Sequence, residues 1–313
     1  MAGRNAELVR DLATGLREVV LPMLGAREGR AHDRTGASGD VTFAIDTEAE
    51  AFLSEWVAAN APEVAFYSED QGLVGPEQPE LVLVVDPIDG TRPALAGLES
   101  ACTSVAIASA RDGAPRMRDV VAGAVVEIKS GDWFVAERGG GVESSRPVGL
   151  SDNERLDRLF WAHGFARRPA QAMVRVIGEL IDVSSLGGGT FDLGSAAFDL
   201  TRIVSGQLDA YVEPGARMVR EVPGMAEEFA RVGDGQVVNN SPYDVAAAAL
   251  CLVEAGAIIT DASGAPLDAY PLLGSGPEFH VSCVAAANPV LHARLLEAVE
   301  RGMDRLRAAG YGP

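Results

Sequence analysis

Leu81-Val82-Leu83-Val84-Val85-Asp86-Pro87-Ile88-Asp89-Gly90-Thr91 is the stretch around which the rest of the chain is read. Its first five residues are apolar and largely β-branched, the length and composition of a strand buried on both faces, and the run ends abruptly at Asp86. Polar chemistry is thereby delivered at a strand's carboxyl end. Asp86 and Asp89 flank a Pro-Ile pair, and carboxylates so close repel each other unless a cation or a proton intervenes. A divalent metal is the simplest answer, and acids without Cys or His partners favour Mg²⁺ over zinc. Ordinary turn chemistry is the competing reading of Asp-Pro-x-Asp-Gly.

Working outward, Glu69 and Asp70 form a second acidic pair before Gly72, either a further ligand source or a solvated loop. Thr42 and Asp46 precede a helical pattern through Phe52, Leu53, Trp56 and Val57, where such residues are usually caps. Leu8, Leu12, Leu16 and Val19 recur at helical spacing in an opening helix that ends near Pro22, and 25–40 reads as loop or hairpin. Beyond Thr91, strand patterns at 103–108, 120–128 and 132–137 suggest an antiparallel sheet. From about residue 150 strands and helices alternate. Strands are expected at 159–162, 184–186, 208–212, 257–260 and 280–285, and helices at 171–181, 194–204, 244–255 and 288–307. Residues 215–241 show no clear period.

The 313 residues carry 26 Lys and Arg against 45 Asp and Glu, a formal net charge of -19. Length and the change of pattern suggest two domains, an α+β unit over 1–150 and an α/β unit over 151–313. The acidic excess argues against a nucleic acid polymer as partner, whereas a small anion remains compatible because a bound dication reverses the local sign. Cys102, Cys251 and Cys283 form no CxxC pair, which makes a reducing, cytoplasmic compartment the default. No apolar run approaches the ~18 residues that would span a membrane.

Ser68-Glu69-Asp70, Asp86 to Thr91, Gly194-Ser195-Ala196-Ala197, and Tyr243-Asp244-Val245-Ala246-Ala247 through Gly256 stand in the order and context of the inositol monophosphatase superfamily. Gly39-Asp40-Val41-Thr42-Phe43-Ala44-Ile45-Asp46 to Glu50 most resembles its archaeal-type branch, which combines inositol monophosphatase and fructose-1,6-bisphosphatase activity. The resemblance implies a layered α/β/α/β/α sandwich and a Mg²⁺-dependent phosphomonoesterase acting on a small phosphorylated polyol or sugar. It implies two or three Mg²⁺ ions, with Mn²⁺ able to substitute, inhibition by lithium, and a homodimer. By position, Glu69, Asp86 and the carbonyl of Ile88 would bind one ion, and Asp86, Asp89 and Asp244 a second. Thr91 in contact with Asp46 would orient the attacking water, and the N–H groups of Gly90 and Thr91 would hold the phosphate. Phosphoryl transfer demands charge neutralisation and an in-line nucleophile, which agrees with this set.

Ser195 and Glu213 are substrate contacts by family position, with a helix cap and a surface acid as their ordinary readings. Phe191 stands where the family usually has Arg, Arg92-Pro93-Ala94 replaces a common Asn-Phe, and the stretch between Glu213 and Tyr243 is longer than in typical members. These departures point to a remodelled substrate pocket. They keep a nucleotide or nucleoside phosphate as the alternative substrate. Asp192 and Arg217 are weaker candidates; His32, His163, His280 and His292 form no triad with Ser or Cys, and Gly187-Gly188-Gly189 reads as a turn. Two other classes compete: a non-catalytic protein that binds a phosphorylated metabolite on the same fold, and a protein in which the cation is only structural.

Overall fold

The computed structural model describes residues 3–26, 32–35 and 41–310, with the side chains of 32–35 and 41–44 outside the description. The opening helix α1 (Arg4–Val20) buries Val9, Leu12, Leu16 and Val20 along one face. β1 (His32–Thr35) and β2 (Val41–Phe43) pair antiparallel as a hairpin, and α2 (Ala44–Asn60) follows directly. Next come β3 (Ala65–Ser68), β4 (Gly72–Val74), β5 (Leu81–Asp89), the short α3 (Thr91–Ala96), β6 (Cys102–Ser109), β7 (Val120–Glu127), β8 (Trp133–Glu137) and β9 (Gly141–Ser144). Strands β3 to β9 form a seven-stranded sheet in the order β4-β3-β5-β6-β7-β8-β9. Only the β3–β5 pair in it is parallel.

The chain continues with β10 (Phe160–Ala162), α4 (Ala170–Ser184), β11 (Gly189–Phe191), α5 (Ala196–Val204), β12 (Ala210–Glu213), α6 (Gly215–Glu221) and α7 (Met225–Val232). It closes with α8 (Pro242–Glu254), β13 (Ile258–Thr260), β14 (Cys283–Ala286) and α9 (Pro289–Ala309). The second sheet is five-stranded and mixed, in the order β11-β10-β12-β14-β13.

Alternation along the strands explains the layering. Leu83, Val85, Val105 and Ile107 pack with Leu12, Leu16 and Leu53 of α1 and α2 on one face of the large sheet. Val84, Ala106 and Phe134 on its other face meet Leu200 and Ile203 of α5 and Leu250 of α8, which also touch Tyr211 and Ala285 of the second sheet. Trp161, Val212 and Val284 on the far face of that sheet meet Ile177 of α4 and Leu295 and Met303 of α9. Three buried cores, the middle one spanning both faces of α5 and α8, thus join five layers, α/β/α/β/α, as the resemblance implied. All three cysteines are free and buried in this packing. Among the described residues no helix is long and apolar enough to cross a membrane.

Three expectations are corrected. The residues 184–186 are not a strand: α4 runs through Ser184, Leu186 is 98% exposed in the turn beyond it, and the strand is Gly189–Phe191. The segment 215–241 is not featureless but holds α6 and α7, each of about two turns and too short to display a period. β5 does not stop at Val85 but runs to Asp89.

Candidate active site

The continuation of β5 decides where its carboxylates point. Asp86 pairs with Ser104 and Asp89 with Cys102, so three steps on β5 match two on β6 and one residue is extra. This is a bulge, and Pro87, which has no N–H to give a ladder, falls inside it. In a regular strand residues three apart face opposite sides. Here the extra residue restores the parity: Ile88 turns into the core beneath α1 and α2, while Cys102 and Ser104, the partners of the two acids, face the middle helices. The N–H of Ile88 donates to Asp86 Oδ1 at 2.9 Å and fixes the bend.

Two helix starts come to meet these acids. Ser195 caps α5, accepting from Phe198 N at 3.2 Å, and its hydroxyl donates to Asp89 Oδ2 at 2.8 Å. The N–H of Ala197 donates to the same oxygen at 2.6 Å, so the electropositive end of α5 holds one edge of the Asp89 carboxylate. Ser241 and Asp244 form a capping box at the start of α8, with Ser241 N donating to Asp244 Oδ2 at 2.6 Å. Ser104 Oγ donates to the Tyr243 carbonyl at 3.0 Å and ties this helix start to β6. The outcome is that Asp86, Asp89 and Asp244 each present an oxygen within 4.8 Å of the others.

Asp86 is 3% exposed and Asp89 7%. Burial, reinforced by the charges of Asp89, Glu69 and Asp244, holds the Asp86 carboxyl well above its usual range. Burial and then the charge of Asp244 push Asp89 up to about 7, against the hydrogen bonds from Ala197 and Ser195. Both groups favour a proton over an uncompensated charge. An all-oxygen set of clustered carboxylates that resists ionisation alone fits a hard divalent cation.

The cluster lies in a cavity of about 160 Å³ whose wall also includes Asp46, Glu69, Ile88, Gly90 and Thr91. Glu69 is placed by Glu50, whose buried carboxylate accepts from Ser68 Oγ at 2.7 Å, Asp70 N at 3.2 Å and Gln71 Nε2 at 2.7 Å, shaping the turn after β3. Thr91 Oγ1 lies 3.5 Å from Asp46 Oδ1 and 3.2 Å from the Ile88 carbonyl, two acceptors for one hydroxyl proton. Gly90, at φ 91°, caps α3, and a Cβ there would meet Ser100 O at 2.8 Å and Ser195 Cβ at 2.9 Å. Only glycine lets the chain turn this close to the α5 cap.

The remaining sequence candidates divide. Ser195 and Asp192 line the cavity. Glu213 does not: it is wholly buried, 3.0 Å from Arg168 Nη2 and accepting from Gly215 N at 2.8 Å. Phe191, 37% exposed at the end of the edge strand β11, also lies outside the lining. Arg217 is buried elsewhere, donating to Glu221 at 3.0 Å and to the Ala262 carbonyl at 2.9 Å. His163 packs between Trp161 and Phe165, and His292 Nε2 lies 2.9 Å from Thr260 Oγ1. His280 does reach the cavity, where burial and the neighbouring Arg168 charge lower it to about 4. The side chains of His32 and Thr42, and the residue Asp40, lie outside the description.

Sequence reasoning missed Glu50, Arg168, Tyr211, Asn239 and Asn240. Glu50 closes the stretch that begins at Gly39 but shows no role of its own there, the other four stand in no motif, and Arg168 meets Glu213 and Asn240 only through the tertiary fold.

The sequence profile of the inositol monophosphatase family matches residues 6–304. The chain is 27% identical over 299 residues to a fructose-1,6-bisphosphatase/inositol-1-monophosphatase of Methanothermobacter thermautotrophicus, covering 92% of this chain and 94% of that protein. Among solved structures it is similar to an inositol monophosphatase of Thermotoga maritima, with a TM-score of 0.71, 20% identity, and 96% and 98% of the two chains covered. The extragenic suppressor protein SuhB of Bartonella henselae gives a TM-score of 0.71 at 21% identity, over 95% and 99% of the two chains.

Proposed function

The chain belongs to the inositol monophosphatase family and is a phosphoric monoester hydrolase, and from that premise we propose that it is Mg²⁺-dependent and hydrolyses a small phosphorylated polyol or sugar. The observation that carries the reading is the convergence of Asp86, Asp89 and Asp244 beside the Thr91–Asp46 pair. The names of the relatives, which act on an inositol monophosphate or a fructose bisphosphate, support the substrate class.

Asp86, Asp89 and Asp244, with Glu69 and the Ile88 carbonyl beside them, are the groups that would hold Mg²⁺. Bound there, the cation supplies Lewis acidity and neutralises charge on the phosphoryl oxygens. Thr91 donates its one hydroxyl hydrogen bond to Asp46 or to the Ile88 carbonyl and so keeps a lone pair free to accept from a water molecule. Asp46 at the other end of that bond is the acceptor for the proton the water sheds. The bend at Gly90 brings main-chain N–H groups near the phosphoryl group, where they position it without a side chain in the way.

Phosphate release from a panel of phosphomonoesters, with Mg²⁺, with EDTA and after Mg²⁺ is restored, tests the reading. Release that requires Mg²⁺ is expected. Its absence across the panel, with inorganic phosphate still bound in calorimetry, would make this chain a binding protein on the same fold.

A further inference from the structure

Glu50 is buried and stands outside the cavity wall, yet its carboxylate is bonded to a turn that belongs to that wall. Its Oε2 accepts from Ser68 Oγ and from Gln71 Nε2, both at 2.7 Å, and its Oε1 accepts from Asp70 N at 3.2 Å. Gln71 Nε2 also donates to the Glu50 carbonyl at 2.8 Å, and Ser54 Oγ, one turn further along α2, donates to Gln71 Oε1 at 2.8 Å. The turn is thus laced to α2 on both sides of Glu69. Glu69 lies on the cavity wall, and its charge helps to hold the Asp86 carboxyl above its usual range. Ser68 pairs with Val85 in the parallel ladder, so the turn opens beside the residue that precedes Asp86.

The choice of side chain is informative. A carboxylate buried among neutral donors gives up its hydration, so a turn that needs only closing is served at lower cost by Ser, Asn or Gln. An ionised carboxylate, however, accepts at several points and donates at none. That is what a hydroxyl, a main-chain N–H and an amide converging from one turn require. The position on α2 is a second, independent observation. Asp46 and Glu50 are four residues apart and share one face of the helix. Asp46 Oδ1 lies 3.5 Å from Thr91 Oγ1, while Glu50 holds the turn of Glu69. One helix therefore sets the spacing between a cation-binding acid and the water-orienting pair.

We propose that Glu50 is a positioning residue that fastens the turn of Glu69 for cation binding and registers it against Asp46. The proposal rests on the Mg²⁺-dependent phosphomonoesterase reading and adds to it a determinant of cation affinity that lies outside the cavity wall. Partners that stand behind metal ligands change affinity by about 10- to 100-fold when they are removed. With Glu50 replaced, Glu69 samples other orientations and the cation is left chiefly to Asp86, Asp89 and Asp244, whose convergence owes nothing to this turn. Once the cation is in excess, the Thr91–Asp46 pair works as before.

The test titrates Mn²⁺ alone into the metal-free protein, following the electron paramagnetic resonance signal of the free ion, and measures kcat and KM at varied Mg²⁺ with the best ester of the panel. The unmodified protein is compared with Glu50→Gln, with Gln71→Ala, and with Glu48→Gln, which removes an equal charge from an exposed position on α2. Thermal melts in EDTA establish that each variant is folded. Glu50→Gln should weaken Mn²⁺ binding by about ten-fold or more and raise the half-saturating Mg²⁺ to match, with KM for the ester and kcat at saturating Mg²⁺ nearly unchanged. Gln71→Ala, which removes two of the bonds to Glu50, should weaken it about three-fold, and Glu48→Gln should leave it unchanged. The proposal is overturned by unaltered Mn²⁺ affinity in folded Glu50→Gln or, should that variant not fold, in Gln71→Ala. Equal weakening in Glu48→Gln, which would make net charge the cause, or a loss of kcat that saturating Mg²⁺ does not restore, overturns it as well. If the unmodified protein binds no Mn²⁺ and releases phosphate from no ester, it is the underlying phosphomonoesterase reading that fails.

Discussion

Replacing Asp86 by Asn removes one charge from the cluster while keeping an oxygen that can still accept from Ile88 N, as Asp86 Oδ1 does at 2.9 Å. The cluster's oxygens lie within 4.8 Å of one another, and two unit charges at that separation repel by about 3.5 kcal/mol at an effective dielectric of ~20. An unfolding entropy of about 2.1 cal/mol/K per residue, taken over 313 residues, converts that energy into a melting-temperature change of about 5 °C. In EDTA at pH 8 the Asp86→Asn variant should therefore melt up to about 5 °C above the unmodified protein. The advantage should shrink as the pH falls. Burial and the charge of Asp244 push Asp89 up to about 7 in the folded chain against 3.8 without the fold, and burial with the neighbouring carboxylates raises Asp86 as well. The native state therefore holds protons that the unfolded chain gives up, and this stability is complete below about pH 4 and lost as the pH climbs through 7. Millimolar Mg²⁺ should reverse the order, raising the melting temperature of the unmodified protein and leaving the variant nearly unmoved. Thermal melts across pH 5 to 8, with EDTA and with Mg²⁺, decide the matter. A variant less stable than its parent in EDTA at pH 8, or an equal response of both to Mg²⁺, would refute the reasoning.

Other perturbations give equally definite outcomes. Thr91→Ala should lower kcat about 10²-fold with little change in KM, because orienting water matters mainly in the transition state; steady-state kinetics showing a pure KM effect would remove Thr91 from that role. Gly90→Ala places a Cβ within 2.9 Å of Ser100 O and Ser195 Cβ at φ 91°, and urea unfolding should report a loss of about 1–3 kcal/mol; unchanged stability would contradict the described turn. Glu213→Ala strands the Arg168 charge in the interior and should cost about 3–5 kcal/mol, most of it recovered in the Glu213→Leu/Arg168→Met double variant. Additive losses in that cycle would mean that the two side chains do not compensate each other.

The parts of the fold that the sequence disclosed are those whose signal is local and long. α1 announces itself through Leu8, Leu12 and Leu16, and β5 through five consecutive apolar residues. The extension of β5 to Asp89 was hidden because a period of two cannot register an extra residue. The residues 184–186 read as a strand, although Ser184 ends a helix and Leu186 projects into solvent. In α6, Gly215, Ala216, Arg217 and Met218 are buried in succession, so no face could be read from the pattern. For the site, the motif around Asp86 and Asp89 was legible and the arrival of Asp244 followed from resemblance alone. The contacts of Arg168 with Glu213 and Asn240 span 45 and 72 positions, and no local rule foretells them. Glu213 read as a surface acid or a substrate contact; burial against a guanidinium is a third outcome that only the packing discloses.

The irregularity in β5 makes the interval between Asp86 and Asp89 a counted quantity. Apolar residues upstream can be exchanged for others of similar bulk, but removing either Pro87 or Ile88 would change the parity of everything after it. Asp89 would then swing to the side of the sheet covered by α1 and α2, into hydrocarbon, and Ser195 and Ala197 would lose the carboxylate they hold. A lineage carrying this fold can therefore alter the composition of the strand freely, yet cannot shorten it here by a single codon and keep both acids on one side.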